Sequence, residues 1–347
     1  MRPLSSSLSG HYWTLRPFLA GRFPKSARAL SALRSEPWSL ELADPQLGSV
    51  RLTGRLFSPE AAPSGVSRAG AERLLLAIHG LGGSAESSYL RAAVLDDHAS
   101  GLACLCINLR GADGSGEDFY HAALSSDLHA ALASPELRRF SALHVLGFSL
   151  GGHLALRCAT EPHDARLLSV AAICSPLDLE RSQMALDEPR RVLYRQYVLR
   201  RLKQSYAATA RRRPLPTPVA QVLRVTTIRQ WDELTVVPRF GFASARQYYR
   251  QASVAPRLHA LRVPALLVQA AHDPMVPAET IRPALANAPP LLDVRWCERG
   301  GHVGFPSDLD LGQAALVGLP SQVRSWLLAA PNRFASSTRP DEAAGIL

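Results

Sequence analysis

The sequence predicts an α/β fold with a mostly parallel sheet and an inserted helical cap. Short apolar runs alternate with helix-like runs along most of the 347 residues. The run at 73–80 is almost continuously apolar and ends in Gly80, which is typical of a strand covered on both faces. The alternation stops between about 178 and 254, where the chain becomes basic and rich in proline. Such alternation indicates right-handed βαβ units that bind ligands beyond the carboxyl ends of the strands.

Eight strands and several helices are expected in order. The first two strands, 38–42 and 50–57, are predicted to form an antiparallel pair. The other predicted strands are 73–78, 102–108, 143–148, 168–174, 265–270 and 291–297. Helices are expected at about 120–133, from 150 onward, at 278–287 and at 322–328.

This pattern divides the chain into five predicted segments. Residues 1–35 mix polar, proline and aromatic residues without a period, so we expect an irregular lead-in. The first part of the core is 36–177, the cap is 178–254 and the second part of the core is 255–332. Residues 333–347 are predicted to be a flexible tail.

The predicted cap carries most of the net charge of +10. Nine basic residues and no acidic one lie between 190 and 213, so the rest of the chain is nearly neutral and gives little reason to expect a nucleic-acid partner. Tyr194, Val198, Leu202 and Tyr206 recur every four residues with arginines between them, which predicts an amphipathic lid helix packed on the core. The alternative is that segment 190–213 docks on an anionic membrane.

Composition limits the other classes. The apolar runs are too short to span a bilayer and no secretory signal is apparent, so we expect a soluble, cytoplasmic protein. Five cysteines without a CxxC motif indicate neither a zinc site nor a disulfide framework. No metal or organic cofactor is expected, and the oligomeric state is not indicated.

The most informative motif is Gly147-Phe148-Ser149-Leu150-Gly151, a G-x-S-x-G pattern between a predicted strand and a predicted helix. A nucleophilic serine needs a sharp turn that exposes its hydroxyl, and small flanking residues let the turn close. The five-residue pattern by itself also fits an ordinary glycine-rich turn. The context of strand, turn and helix favours a nucleophile elbow at Ser149.

A serine nucleophile needs a base and an acid, which should follow at strand ends in the order Ser, Asp, His. Asp273 comes directly after the strand 265–270, and His302 follows the last strand within a glycine-rich loop. Asp178 also follows a strand and is the rival acid, although it fits the hinge into the cap better. The sequence therefore predicts Ser149, Asp273 and His302 as the catalytic residues.

Two backbone N–H groups are expected to bind the oxyanion of an acyl intermediate. One belongs to Leu150, directly after the nucleophile. The other comes from the glycine-rich loop 79–84 after the third strand, where we predict Leu81 and keep Gly82 as the alternative.

Taken together, these residues resemble the α/β-hydrolase fold, and within it the YheT-like esterases that are related to eukaryotic abhydrolase-domain lipases. The resemblance covers nearly the whole chain in order. It rests on His11-Tyr12-Trp13-Thr14, where the family typically has His-Leu-Gln-Thr, and on 79–84, 108–111, 147–152, 175–179, Gly241-Phe242 with Tyr248-Tyr249, 271–274 and 300–305. The resemblance implies an eight-stranded sheet, hydrolysis of carboxylic esters and charge-relay roles for Ser149, Asp273 and His302.

The expected substrate is a small-molecule ester with a short- to medium-chain or lipid-like acyl group. The cap aromatics Trp231, Phe240, Phe242, Tyr248 and Tyr249 suggest an apolar pocket, although core packing would explain them equally well. A thioesterase or lipase would use the same three residues. From another class, a catalytically weak hydrolase-fold scaffold at anionic membranes stays open.

Overall fold

A computed structural model describes residues 6–20, 33–59 and 72–337. Its centre is an eight-stranded sheet with the order β1-β2-β4-β3-β5-β6-β7-β8. The strands are β1 (Ser35–Asp44), β2 (Gly48–Phe57), β3 (Arg73–Ile78), β4 (Ala103–Asn108), β5 (Ala142–Phe148), β6 (Leu167–Ile173), β7 (Ala265–Ala270) and β8 (Leu292–Cys297). β1 and β2 form the predicted antiparallel pair, and β3 to β8 run parallel to one another. The predicted fold class is confirmed.

Both faces of the sheet are covered, which explains the continuous apolar composition of the central strands. In β3, Leu74, Leu76 and Ile78 belong to one buried cluster, whereas Leu75 and Ala77 belong to the cluster on the other face. Successive side chains of a strand point to opposite faces, so both sets must be apolar when helices pack on both sides. The five cysteines are all buried and free.

Twelve α-helices are present in the described part of the chain. Outside the cap these are α1 (Ser6–Ala20), α2 (Ser88–Ala99), α3 (Ser125–Leu132), α4 (Leu150–Thr160), α11 (Ala278–Ile281) and α12 (Leu319–Ser337). The cap contains α5 (Leu179–Asp187), α6 (Val192–Ala210), α7 (Val219–Val222), α8 (Ile228–Leu234), α9 (Val236–Phe240) and α10 (Ala245–Ala252). Within the described ranges, no helix has both the length and the apolar character needed to cross a membrane.

The helices between β6 and β7 form the segment that we call the cap. Its longest helix, α6, buries Val198, Leu202 and Tyr206, as the four-residue spacing indicated. The same helix leaves Leu193 and Tyr197 exposed by 76% and 45%. α6 therefore packs on the core with one face and presents a mixed apolar and basic face to solvent.

Three local expectations were wrong. The lead-in is not irregular, because residues 6–20 form the helix α1. The helix expected from residue 120 begins at Ser125, and the residues before it form turns. The last helix is longer than predicted and continues to Ser337, into the segment expected to be a flexible tail. Residues 21–32 of the lead-in and 338–347 of the tail lie outside the described residues.

Candidate active site

Ser149 lies at a sharp turn between β5 and α4. Its backbone has φ 52° and ψ −118°, a strained conformation for a residue with a side chain, and its N–H donates to Ile173 O at 2.8 Å. The flanking glycines make this turn sterically possible. A Cβ at Gly147 would lie 2.2 Å from Gly151 O, and one at Gly151 would lie 2.5 Å from Ile78 O. The predicted elbow geometry is therefore present at Ser149.

Asp273 and His302 form a buried hydrogen-bonded pair. His302 Nδ1 lies 2.9 Å from Asp273 Oδ2, and the exposed fractions of the two residues are 5% and 3%. The second carboxylate oxygen of Asp273 accepts the N–H groups of Met275 and Val276 at 2.8 and 3.0 Å. Since a carboxylate only accepts, Nδ1 is the donor of this hydrogen bond, and Nε2 is the ring nitrogen left to act as a base.

Ser149 and His302 line the same cavity at the carboxyl ends of the strands. No hydrogen bond joins the serine hydroxyl to His302 in the described structure. Catalytic hydrogen bonds of this kind are often long in unliganded enzymes and close when substrate binds. The fold thus brings the three predicted residues to one site, with the acid and the base already paired.

The rival residues have other partners. Asp178 is the N-cap of α5, because its carboxylate accepts the N–H of Arg181 at 3.0 Å and also pairs with the Arg181 side chain. His272 pairs with Glu298 at 3.5 Å. His153 on α4 contacts the carbonyl oxygens of Pro176 and Ala252. Each of these residues therefore has a structural contact away from Ser149.

The glycine-rich loop after β3 distinguishes between the two oxyanion candidates. The N–H of Gly82 donates to Tyr120 Oη at 2.7 Å, and that of Gly80 donates to Tyr89 Oη at 3.0 Å. Neither is available to a ligand. Among the residues described, the N–H of Leu81 has no protein acceptor, and Leu81 lines the cavity together with Leu150. The geometry favours Leu81 over Gly82.

His79 holds this glycine-rich loop in place through two hydrogen bonds. Its Nε2 accepts the N–H of Leu109 at 3.1 Å, so Nδ1 carries the proton and donates to Gly80 O at 2.8 Å. Complete burial lowers the pKa of His79 to about 4. The ring is therefore neutral at physiological pH and acts as a fixed hydrogen-bond bridge between β3, β4 and the loop.

The cavity has a volume of about 430 Å³ and is lined by apolar side chains of the cap together with residues of the core loops around Ser149 and His302. Trp231, Tyr248 and Tyr249 line it, as the sequence suggested. Phe240 instead packs against His121 and Phe119, and Phe242 packs against His121 and Tyr248. A volume of this size matches a small-molecule ligand with a substantial apolar part.

Cys174 lies next to Asp273 and His302, and a cysteine thiol is a side chain that can bind metals. Its Sγ, a carboxylate oxygen of Asp273 and a ring nitrogen of His302 lie within 4.8 Å of one another. Burial raises the pKa of the Cys174 thiol well above its usual value, so the thiol keeps its proton and donates to Gly301 O at 3.5 Å. Asp273 already accepts hydrogen bonds from His302 and from two backbone amides. We therefore interpret Cys174 as a residue that supports the Asp273–His302 pair through its hydrogen bond to Gly301.

Cap arginines contact the two loops of the site, which sequence reasoning missed. Arg191 donates to Pro274 O at 2.9 Å, next to Asp273. Arg201 donates to Gly82 O at 3.1 Å, in the glycine-rich loop after β3. The sequence signal was the basic segment itself, which we interpreted as a solvated or lipid-facing surface. Part of that charge instead anchors the cap on the site.

Comparison with known proteins identifies the family of this chain. The model of the alpha/beta hydrolase family matches residues 74–311. The Escherichia coli protein YheT, which carries the name of an esterase, is 30% identical over 264 residues, covering 73% of this chain and 76% of YheT. A monoacylglycerol lipase of Saccharomyces cerevisiae is 26% identical over 252 residues, covering 69% of this chain and 56% of the lipase.

Among solved structures, an esterase of Pyrococcus furiosus superposes with a TM-score of 0.50 at 15% identity, covering 81% of this chain and 86% of the esterase. At that identity the likeness concerns the fold alone. The family model, in contrast, spans the segment from β3 to the loop of His302 and contains every residue of the site described above. The chain belongs to the alpha/beta hydrolase family.

Proposed function

We propose that this protein is a serine hydrolase that cleaves carboxylic esters with a short- to medium-chain or lipid-like acyl group. The observation that carries the proposal is a strained Ser149 and a buried Asp273–His302 pair on one largely apolar cavity. The esterase and lipase names of the relatives support the same reaction class.

The proposed reaction is acyl transfer to water in two steps. His302 Nε2 takes the proton of Ser149 as the hydroxyl oxygen attacks the ester carbonyl, and Asp273 holds the ring and stabilises its charged form. The oxyanion accepts hydrogen bonds from the N–H groups of Leu81 and Leu150. His302 then protonates the leaving alcohol, and a water molecule activated by His302 releases the acid from the acyl-enzyme.

The first test uses a fluorophosphonate probe and the variant Ser149→Ala. We expect the probe to label wild-type protein at Ser149, and the variant to lose labelling and at least about 10³-fold in kcat. Ser175→Ala is a suitable control, because Ser175 is buried next to the elbow and its hydroxyl bonds a backbone carbonyl. Unchanged esterase activity in Ser149→Ala would rule out the proposed nucleophile.

A chain-length series of p-nitrophenyl esters then tests the substrate class. The cavity predicts a maximum of kcat/KM at intermediate acyl lengths, because apolar contacts grow with each methylene until the space is filled. Thioesters of the same acyl groups serve as the comparison set. A clear preference for thioesters would replace the ester assignment with the thioesterase alternative.

Peripheral contact with an anionic membrane is a second proposal, carried by the solvent-exposed side chains in the first half of α6. Leu193 and Tyr197 are exposed there beside Arg200, and Arg190 is exposed just before the helix begins. Apolar and cationic side chains on one face are the combination that binds anionic lipid. We expect co-sedimentation with anionic vesicles to exceed that with neutral ones and to fall in Leu193→Glu. Equal binding to both vesicles would exclude this contact.

A further inference from the structure

Helix α1, which the sequence did not predict, lies directly against the loop that carries His302. The N–H of His302 donates to Thr14 Oγ1 at 2.7 Å, and the same hydroxyl donates to Gly10 O at 2.7 Å. Thr14 and His302 are both buried. The hydroxyl of Thr14 is therefore the hydrogen-bond partner of a backbone amide that water cannot reach.

The approach of α1 to the site is close enough that two contacts require glycine. A Cβ on Gly301 would lie 2.2 Å from Gly10 O and 2.5 Å from Thr14 Oγ1. A Cβ on Gly10 would lie 1.8 Å from His272 O, next to Asp273. One turn of α1 thus touches the backbone of both loops, the one with the acid and the one with the base.

The His302 loop is strained and needs such support. Val303 has φ 55°, which is an outlier for a β-branched residue. A conformation of this kind persists only when the surrounding contacts hold it. The described contacts include the bond from Gly301 N to Gly304 O at 2.8 Å within the loop and the bond from His302 N to Thr14 outside it.

The same turn of α1 also contacts the cap. His11 Nδ1 lies 2.5 Å from Tyr194 Oη on α6, and the two rings stack with centroids 5.7 Å apart and planes 13° from parallel. His11 and Thr14 are three residues apart, so they lie on neighbouring positions of one helical turn. The turn at residues 10–14 connects the cap to the loop of the base.

We propose that residues 10–14 act as a strap, a short segment that connects the cap to the loops of Asp273 and His302. In this strap Thr14 is a positioning residue for His302, and His11 attaches the strap to the cap. Thr14 does not touch the reacting atoms. It fixes the backbone from which the imidazole projects, so that Nε2 lies within reach of Ser149 once substrate binds. This inference rests on the proposed serine hydrolase reaction.

The experiment compares Thr14→Val with Thr14→Ser and with Leu15→Ala, using a p-nitrophenyl ester. Valine keeps the shape of threonine and removes the hydroxyl, serine keeps the hydroxyl, and Leu15 is an exposed neighbour on the same helix. The endpoint of fluorophosphonate labelling counts the folded, competent sites, and kcat is expressed per labelled site. We expect Thr14→Val to lose about 10- to 100-fold in kcat with KM nearly unchanged, because a displaced base slows the chemical step. Thr14→Ser and Leu15→Ala should stay close to wild type.

A purely structural role for Thr14 predicts a different result. Thr14→Val would then unfold at a lower temperature but keep its kcat per labelled site, and that outcome would overturn the inference. An unchanged kcat with a raised KM would overturn it as well. A wild-type protein that neither labels nor hydrolyses esters would remove the proposed function and this inference together, whereas an active wild type with an equally active Thr14→Val removes the inference alone.

The variant His11→Phe tests the strap from the cap side and keeps the proposal testable if Thr14→Val does not fold. Phenylalanine preserves the stacking on Tyr194 and removes the hydrogen bond. We expect a smaller loss in kcat, on the order of 3- to 10-fold, because the helix is loosened while Thr14 stays in place. A kcat equal to that of wild type would contradict the role of His11 as the fastening of the strap.

Discussion

The strained backbone at Ser149 directs its hydroxyl into the cavity, and hydrogen bonds hold the neighbouring residues of the site in place. Asp273 gives one oxygen to His302 and the other to two backbone amides. Tyr120 takes the N–H of Gly82, which leaves that of Leu81 for a ligand. These hydrogen bonds fix the groups around the cavity, and the proposed stabilisation of an oxyanion would use donors that are fixed in this way.

Asp273→Asn tests the assignment of the acid. The asparagine oxygen can still accept the N–H groups of Met275 and Val276, so we expect a melting temperature close to that of wild type. The amide can donate to Nδ1 and select the wrong tautomer of His302, so kcat should fall by about 10³–10⁴-fold.

The rival acid supplies the matched control for that experiment. Asparagine caps a helix as well as aspartate does, so Asp178→Asn should change neither kcat nor stability appreciably. If Asp178→Asn lost activity and Asp273→Asn kept it, Asp178 rather than Asp273 would be the acid.

At the scale of elements, the helices that sequence patterns find are those that bury an apolar stripe. α6 buries Val198, Leu202 and Tyr206 and was predicted from their spacing. α1 does the reverse, because it exposes Leu8, Tyr12 and Leu15 and buries Gly10 and Thr14. Its apolar residues do recur at a helical spacing, but that stripe is exposed, and the buried contacts of the helix are made by backbone and a hydroxyl.

Asp232 on α8 bonds a residue of α10 and also lines the cavity. Tyr249 Oη donates to Asp232 Oδ2 at 2.6 Å, and burial raises the pKa of Asp232 to about 7. The folded protein therefore holds a proton on Asp232 from about pH 4 to pH 7, where the unfolded carboxyl has lost it. Because the native state binds more protons in this window, the free energy of unfolding should fall as the pH rises through it.

Asp232→Asn removes this titration and keeps an oxygen for Tyr249. We expect the stability of the variant relative to wild type to rise by on the order of 1–4 kcal/mol between about pH 4 and pH 8. Urea unfolding across this range measures the effect, with Glu233→Gln, the adjacent carboxylate on the same helix, as the control. A constant difference between Asp232→Asn and wild type would show that the pKa of Asp232 is the same in the folded and the unfolded protein.

For the whole molecule, a buried ion network ties together parts that are distant in sequence. Arg110 pairs with Asp44, Asp118 and Asp127, and Arg239 of the cap pairs with Asp118 and Asp44. Asp44 ends β1, so the network joins the first hairpin, the turn after β4 and the cap. The network fixes the relative positions of these three parts, because a buried network of this kind keeps one arrangement only while every member is paired.

Arg239→Met should destabilise the protein by about 3–5 kcal/mol, because Asp118 would lose two of its buried hydrogen bonds. Arg299→Met is the control, since its ion pair with Asp308 is largely exposed and its loss should leave stability nearly unchanged. Urea unfolding of the two variants makes the comparison. Similar small losses in both would mean that the network does not fix the cap.

The sequence alone determined the strand order along the chain, the elbow at Ser149 and the strand-end positions of Asp273 and His302, because apolar periodicity and turn residues are local signals. It left open whether Asp178 or Asp273 faces the histidine and whether Leu81 or Gly82 faces the ligand. The tertiary structure favours one of each pair. It also brought Thr14 to His302 across 288 residues and Arg239 to Asp118 across 121. Such contacts depend on how the elements pack, and no local pattern of residue types records that packing.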